Sequence, residues 1–267
     1  MIVTIWNIRG LNSKGKQRYL KDRVKKDKPI IMIIQETKIN SQKLEEITRK
    51  YIIQYEVIGQ YASDTARGLA ILWNSKEVQV KDWVSLPRIL SGSFRMIGSS
   101  EWVLITGVYG PHIPRECKNF LKNMHTICRI FPEVPWIVGR DFNMIKTLGE
   151  KKGGISRLEQ DMEAFSEMRI EQRLVDIPMI NGVHTWNNQR GGRNQIASRL
   201  DRFLVSEQIL NRDVFVEVKI LPAMGFDHWP IRLEIDIKKN PHKHPFRFEA
   251  FWLRNNQFIP KVEEWWT

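Results

Sequence analysis

Six segments of this 267-residue chain end in side chains that can move protons or hold a cation. Asn7 closes the apolar run 2–6, Gln35-Glu36-Thr37 follows the run 30–34, and Tyr109-Gly110-Pro111-His112 follows 102–108. Gly139-Arg140-Asp141-Phe142-Asn143 comes after Trp136-Ile137-Val138, Ser198-Arg199-Leu200-Asp201-Arg202 comes later, and Phe226-Asp227-His228-Trp229-Pro230 precedes Ile231. Apolar strands that repeatedly terminate in Asn, Glu, Asp or His imply that one rim of a sheet gathers acids, amides and an imidazole. Carboxylates and amides are hard oxygen donors, which suit Mg²⁺ or Mn²⁺ better than zinc and leave the histidine free for another task. Cleaving a phosphodiester needs a base for the attacking water and positive charge for the phosphoryl oxygens; an acid, a metal and an imidazolium supply both. Taken singly, each residue also has a structural role: Asn7 in a turn, Glu36 at a helix start, Asp141 with Asn143 in an Asx-type turn, His228 as a buried histidine.

The elements that would position these residues can be read from periodicity. Alternating or continuous apolar stretches predict strands at 2–6, 30–35, 55–58, 69–73, 78–84, 94–97, 102–109, 136–138, 185–186, 198–204, 214–220 and 231–235. Helical spacing predicts helices at 16–28, 41–51, 114–131 and 158–171. About a dozen strands with four helices predict an α/β fold, two packed sheets with helices on the outer faces. The composition shifts at 238–245 to a basic, proline-containing connector. The expected organisation is therefore one domain over 1–237, then the truncated start of a following region over 238–267.

The charge favours a polyanionic partner. Lys+Arg number 42 against 30 Asp+Glu, a net charge of +12, and residues 238–267 hold only six of the basic and three of the acidic groups. Arg190, Arg193, Arg199 and Arg202 flank Gly191-Gly192 between strand-like stretches, which reads as a basic β-hairpin tip able to enter a groove. Arg190, Arg193 and Arg199 are thus candidate DNA contacts, with Trp186 and Trp229 as candidates for base stacking and His112 for a phosphate contact. The basic segment 14–28 reads as a solvated helix face. No apolar run approaches the roughly 18 residues of a membrane span, nothing at the N-terminus reads as a signal peptide, and two cysteines make no disulfide framework. These features predict an intracellular protein of the nucleus or cytoplasm and exclude redox chemistry.

The motifs, in this order, resemble the endonuclease/exonuclease/phosphatase superfamily. Trp6-Asn7-Ile8-Arg9-Gly10-Leu11, Gln35-Glu36-Thr37-Lys38, the segment 136–143, Leu148-Gly149-Glu150-Lys151-Lys152-Gly153-Gly154, Thr185-Trp186-Asn187-Asn188 and Ser198-Arg199-Leu200-Asp201-Arg202-Phe203 are most similar to the endonuclease domains of plant LINE-type retrotransposons. The resemblance spans residues 2 to 235 and implies a four-layer, deoxyribonuclease-like sandwich. It further implies that Glu36 ligates Mg²⁺ or Mn²⁺ with Asn7 and Asp227 nearby, and that Asp141 takes the proton of the attacking water while Asn143 orients water or phosphate. Tyr109 would face the phosphate or leaving group, and Asp201 would hold His228 against the phosphate. The implied activity is DNA hydrolysis leaving 3′-hydroxyl and 5′-phosphate ends, with the 3′-hydroxyl priming a reverse transcriptase module that this chain lacks. Arg9 stands where repair enzymes carry an acid, Arg140 replaces a common glycine and Phe226 a common serine. Arg9 argues against abasic-site repair, whereas Arg140 and Phe226 keep open a non-catalytic nucleic-acid-binding remnant, and the shared motifs keep open a phosphatase of inositol phosphates or phospholipid head groups.

Overall fold

The computed structural model describes residues 1–60, 68–110, 114–143, 145–154, 159–223, 225–237 and 258–266. The chain divides into two compact units, Met1–Ile237 and Lys238–Thr267. The first begins with β1 (Ile2–Asn7), α1 (Lys14–Asp27), β2 (Ile31–Gln35), α2 (Ser41–Tyr51), β3 (Tyr55–Gln60), β4 (Leu69–Asn74), β5 (Val78–Leu86), β6 (Ile89–Met96) and β7 (Val103–Tyr109). It continues with α3 (Pro114–Ile130), β8 (Trp136–Asp141), β9 (Lys151–Lys152), α4 (Glu159–Glu171), β10 (Leu174–Asp176), β11 (Trp186–Asn187) and β12 (Ala197–Ser198). It closes with β13 (Asp201–Ser206), α5 (Glu207–Leu210), β14 (Val214–Ile220) and β15 (Ile231–Ile237); in the second unit the described residues form α6 (Phe258–Trp266). No described helix is long and apolar enough to cross a membrane.

Two six-stranded sheets, ordered β14-β15-β1-β2-β4-β3 and β10-β13-β8-β7-β6-β5, are joined by a small third sheet, β11-β12-β9. This is the expected α/β sandwich, and strand alternation sorts its core into layers. Val3, Ile5, Ile31, Ile33 and Ile71 of the first sheet meet Ile105, Ile137, Phe203 and Val205 of the second in the central layer. The opposite parity, Trp6, Met32, Ile34, Ala70 and Leu72, packs under Leu20 and Val24 of α1 and Leu44 and Ile47 of α2. On the other side Leu104, Trp136, Val138 and Leu204 pack under Phe120, Met124 and Ile127 of α3 and Phe165 and Met168 of α4. Side-chain caps start the first two helices: Ser13 accepts from the Lys16 amide at 3.3 Å and Asn40 from the Lys43 amide at 2.9 Å. The helix expected over 158–171 is α4 in its described part, Glu159–Glu171; β9, β10, α5 and α6, too short or too irregular in pattern to stand out, add to the expected elements. The single strand expected over 198–204 is two, β12 and β13, because the chain breaks at Arg199-Leu200 to turn arginines inward.

The topology fixes where the polar strand ends lie. β1 runs parallel to β2 and β7 parallel to β8, so the C-terminal ends of all four face one rim. β13 is antiparallel to β8 and β15 antiparallel to β1, which brings the start of β13 and the segment before β15 to the same rim. Asp201 is registered against Asp141, and Asp141 against Tyr109, while Asn7 is registered against Gln35. Two glycines let the sheets close up one pleat behind this row. A Cβ at Gly139 would lie 2.7 Å from Ile33 Cδ1 and 2.8 Å from Ile5 Cδ1, and one at Gly107 would lie 2.7 Å from Ile33 Cγ2. Overpacking at such a point is destabilising by about 1–3 kcal/mol. Gly139→Ala should therefore lower stability by about that amount in urea denaturation. Gly191→Ala, whose new methyl meets nothing within 4 Å, should stay within about 0.5 kcal/mol of the parent.

Candidate active site

At the rim side chains cross from one sheet to the other, and the Asn7 amide is the central link. Asn7 Nδ2 donates to Glu36 Oε1 at 2.9 Å within its own sheet and to Asp141 Oδ2 at 3.0 Å in the other. The loops after β1 and β2 are zipped together by backbone bonds from Ile8, Gly10 and Leu11 to the carbonyls of Gln35, Glu36 and Thr37, which holds Glu36 beside Asn7. Gln35 Nε2 crosses to the Val108 carbonyl at 2.5 Å, so the end of β2 is tied to β7. Arg9, Glu36, Lys38 and Asn143 all have φ between 46° and 54°, a left-handed conformation that L residues rarely adopt and that clusters at functional sites.

Tyr109 donates its hydroxyl to Glu36 Oε1 at 3.2 Å. Burial first, then the charges of Glu36 and Asp141, push the phenol far above its ordinary value, so Tyr109 keeps its proton and serves as a hydrogen-bond donor. Burial would raise the Glu36 carboxyl, but hydrogen bonds from Asn7 and Lys38 and the charges of Lys38 and Arg9 outweigh it, and the group titrates below its ordinary value. Lys38 Nζ lies 3.2 Å from Glu36 Oε2. Asn143 uses its amide N–H on Asp141 Oδ1 at 3.0 Å and its side chain on the Gly110 carbonyl at 3.0 Å, bracing the turn that presents Asp141.

His228 is 1% exposed and stands between two carboxylates. Its Nδ1 is 3.0 Å from Asp201 Oδ2 and its Nε2 is 3.8 Å from Asp141 Oδ2. Burial would lower its pKa; the charges of Asp201 and Asp141 reverse that and push it up to about 9, so the ring is an imidazolium at neutral pH. Burial pushes the Asp201 carboxyl upward while the charge of His228 pulls it down across the 3.0 Å Nδ1···Oδ2 contact. Thr185, fully buried, organises both members. Its Oγ1 accepts from the amides of Leu200 and Asp201 at 3.1 and 2.9 Å, and its carbonyl accepts from the Trp229 amide at 2.8 Å. Thr185 stood within a recognised motif, yet its role follows only from the contact.

The group Asp141, Asp201 and His228 has ligand atoms within 4.8 Å of one another, a spacing that could hold a metal ion once the imidazolium loses a proton. Glu36 and Asn7 offer the hard oxygen donors. Asp227, expected as a third ligand, has Oδ2 2.9 Å from Arg9 Nε and 3.3 Å from Trp186 Nε1 instead.

Residues 5–223 match the model of the endonuclease/exonuclease/phosphatase family. The chain belongs to that family. Among family relatives, an exodeoxyribonuclease of Bacillus subtilis (strain 168) is 24% identical over 262 residues, 87% of this chain and 98% of its own. The fold is shared with the AP endonuclease LMAP from Leishmania major, at a TM-score of 0.70 and 18% identity over 87% of this chain and 86% of that one. It is shared also with the 3′ phosphatase NExo from Neisseria bound to product DNA hairpin, at a TM-score of 0.68 and 16% identity over 88% of this chain and 99% of that one.

One candidate of this family member requires correction. Arg199, expected on the hairpin surface, is 9% exposed: it gives Nη1 to Glu150 at 3.0 Å and Nη2 to Asp176 at 2.8 Å. Arg202, fully buried, bonds the same two carboxylates at 2.8 and 2.9 Å. A guanidinium fixed on two buried acids is a structural cation, not a surface contact for DNA. Arg190 and Arg193 do lie exposed on the β11–β12 loop, which Asn188 holds by accepting from the amides of Arg190 and Ile196 and donating to the Asn194 carbonyl. Trp186 is half-buried, and with Trp229 it borders a recess of about 740 Å³. His112 and the side chain of Arg140 lie outside the described residues. Phe226 rests edge-on against Trp6, with ring centroids 4.8 Å apart.

Two outcomes test this arrangement. Breaking a buried ion network by removing one partner costs about 3–5 kcal/mol, so Arg202→Ala should destabilise by that order in urea, whereas Arg190→Ala should leave stability unchanged. A histidine with a raised pKa adds stability that is fully present below its unfolded value of 6.5 and is lost as pH climbs through its folded value of about 9. Folding stability should thus fall between those pH values, and His228→Gln should flatten the fall; a stability rising with pH over that window would contradict the imidazolium.

Proposed function

We propose that the protein is a divalent-metal-dependent endonuclease that hydrolyses DNA phosphodiesters and leaves 3′-hydroxyl and 5′-phosphate ends. The observation behind this reading is the convergence of Asn7, Glu36, Asp141, Asp201 and His228, from four separate strand ends and the segment before β15, with neighbouring polar atoms 2.9 to 3.8 Å apart. Glu36, ionised at neutral pH, and the Asn7 side-chain oxygen would hold Mg²⁺ or Mn²⁺, with Asp227 adding negative charge beyond its Arg9 partner. The bound cation supplies charge for the phosphoryl oxygens. Asp141 accepts the proton of the attacking water, with Asn143 fixing the carboxylate's direction. His228, kept protonated by Asp201, lays an imidazolium against the phosphate, and Tyr109 offers a hydroxyl proton beside it.

The family includes phosphatases, but the exposed Arg190 and Arg193 on a loop beside the site and the +12 charge favour a polynucleotide over a small head group. The similarity of the motifs to plant LINE-type elements supports a retroelement origin, in which the new 3′-hydroxyl primes reverse transcription.

The test is nicking of supercoiled plasmid with Mg²⁺ and with EDTA. Asp141→Ala and His228→Ala should each lower the rate at least about 10²–10⁴-fold with an unchanged circular dichroism spectrum. Nicked products should be extended by a DNA polymerase, which requires a 3′-hydroxyl. Nicking that survives either substitution, or that needs no metal, refutes these roles; release of inorganic phosphate from 3′-phosphoryl ends without nicking would make the protein a phosphatase.

A further inference from the structure

Next to the catalytic cluster a cleft of about 540 Å³ opens between the loop after β1, the start of α1 and the β11–β12 loop. Its walls carry three cations, Arg9, Lys16 and Arg190, one carboxylate, Asp227, and two rings, Trp186 and Phe226. We propose that this cleft binds the nucleotide adjacent to the bond being cut, taking its backbone phosphate on Arg9 and Arg190 and its sugar and base against Trp186 and Phe226. The proposal rests on the nuclease reading and names what that site selects.

Arg9 is built for the task. Its Nε is on Asp227 at 2.9 Å, the side chain is 46% exposed, and its Nη groups have no protein partner among the described residues. The open end of the guanidinium fork is the part that matches a phosphate. The backbone that aims it is left-handed, at φ 46°, and held there from three sides. Asn7 Oδ1 accepts from the Arg9 amide at 3.2 Å, Lys16 Nζ donates to the Arg9 carbonyl at 2.8 Å, and the Gly10 amide donates to the Glu36 carbonyl at 2.7 Å. Lys16 also lies 5.5 Å from the Phe226 ring centroid, so its ammonium adds positive field to the cleft while its donors stiffen the loop.

The cleft is continuous with the chemistry. Asp227 immediately precedes His228, Trp186 forms an isolated bridge with His228, and the Asn187 amide donates to the Asp227 carbonyl at 3.0 Å. Asp227, the partner of Arg9, thus stands one residue along the chain from His228, so a polynucleotide with a phosphate at His228 can continue into the cleft, whereas a lone phosphomonoester has nothing to place there. Asp227 keeps Arg9 oriented until a phosphate competes for it, and Arg9 is thereby a specificity-determining residue for polynucleotides.

The test is equilibrium binding of a fluorescein-labelled duplex oligonucleotide in EDTA, by anisotropy over a range of salt. Losing a charged hydrogen-bonding partner should weaken binding about tenfold or more for Arg9→Ala. The slope of log K against log salt should shrink by about 0.9, one phosphate contact. Arg9→Lys, which keeps charge but loses the fork, should retain the slope with intermediate affinity. Arg49→Ala, on α2, should change neither, and circular dichroism confirms that each variant is folded. Wild-type affinity and slope in Arg9→Ala would overturn the proposal, as would an equal loss in Arg49→Ala, which would reduce the effect to net charge. If plasmid is never nicked but Arg9→Ala still loses affinity and slope, the nuclease reading fails and the cleft stands; nicking with an unaffected Arg9→Ala sinks the cleft alone.

Discussion

The candidate active site depends on two β-sheets approaching within a hydrogen bond of each other at one rim, where the Asn7 amide bridges Glu36 beside the first sheet and Asp141 in the second. Gly107 and Gly139 make that approach possible, since a side chain at either would collide with Ile33. The parallel pairs at the centre of each sheet then present four strand ends on the same side, and the antiparallel neighbours return Asp201 and His228 to them. Sheet spacing and strand direction together do what no local motif can.

Once gathered, the acids would repel one another in a poorly hydrated pocket. The structure relieves this by interleaving donors with acceptors: Asn7 between Glu36 and Asp141, Lys38 and Tyr109 on Glu36, and the His228 imidazolium between Asp141 and Asp201. Burial and charge thus act in opposition at each group, and the balance differs from one to the next. Glu36 is held ionised by its donors, while His228 is held protonated by its carboxylates. A candidate cation site and a buried positive charge follow from the same set of neighbours.

The second buried charge cluster shows that similar residues can have an unrelated purpose. Arg199 and Arg202 share Glu150 and Asp176 behind the hairpin, where they anchor β13 to β10 and to the segment entering β9. Arg190, nine residues earlier than Arg199, faces the cleft. In a list of basic residues the two arginines are equivalent; in the fold one supports the site and the other borders it.

The sequence by itself determined the layers and marked the candidate residues. Strand parity in 2–6, 30–35 and 136–138 already separates one core face from another, helical spacing marks α1 to α4, and the polar residues that follow strands name Asn7, Glu36, Tyr109 and Asp141, with His228 marked by the polar segment that precedes the last strand. These are local properties, written in side-chain periodicity. The tertiary structure alone decided which charges meet. That Asp227 answers to Arg9, that Arg199 is buried, and that Thr185 aligns Asp201 with the segment after His228 depend on contacts between segments tens to hundreds of residues apart. The physical reason is that a side chain's polarity is fixed by its type, whereas its partner is fixed by strand register and sheet separation.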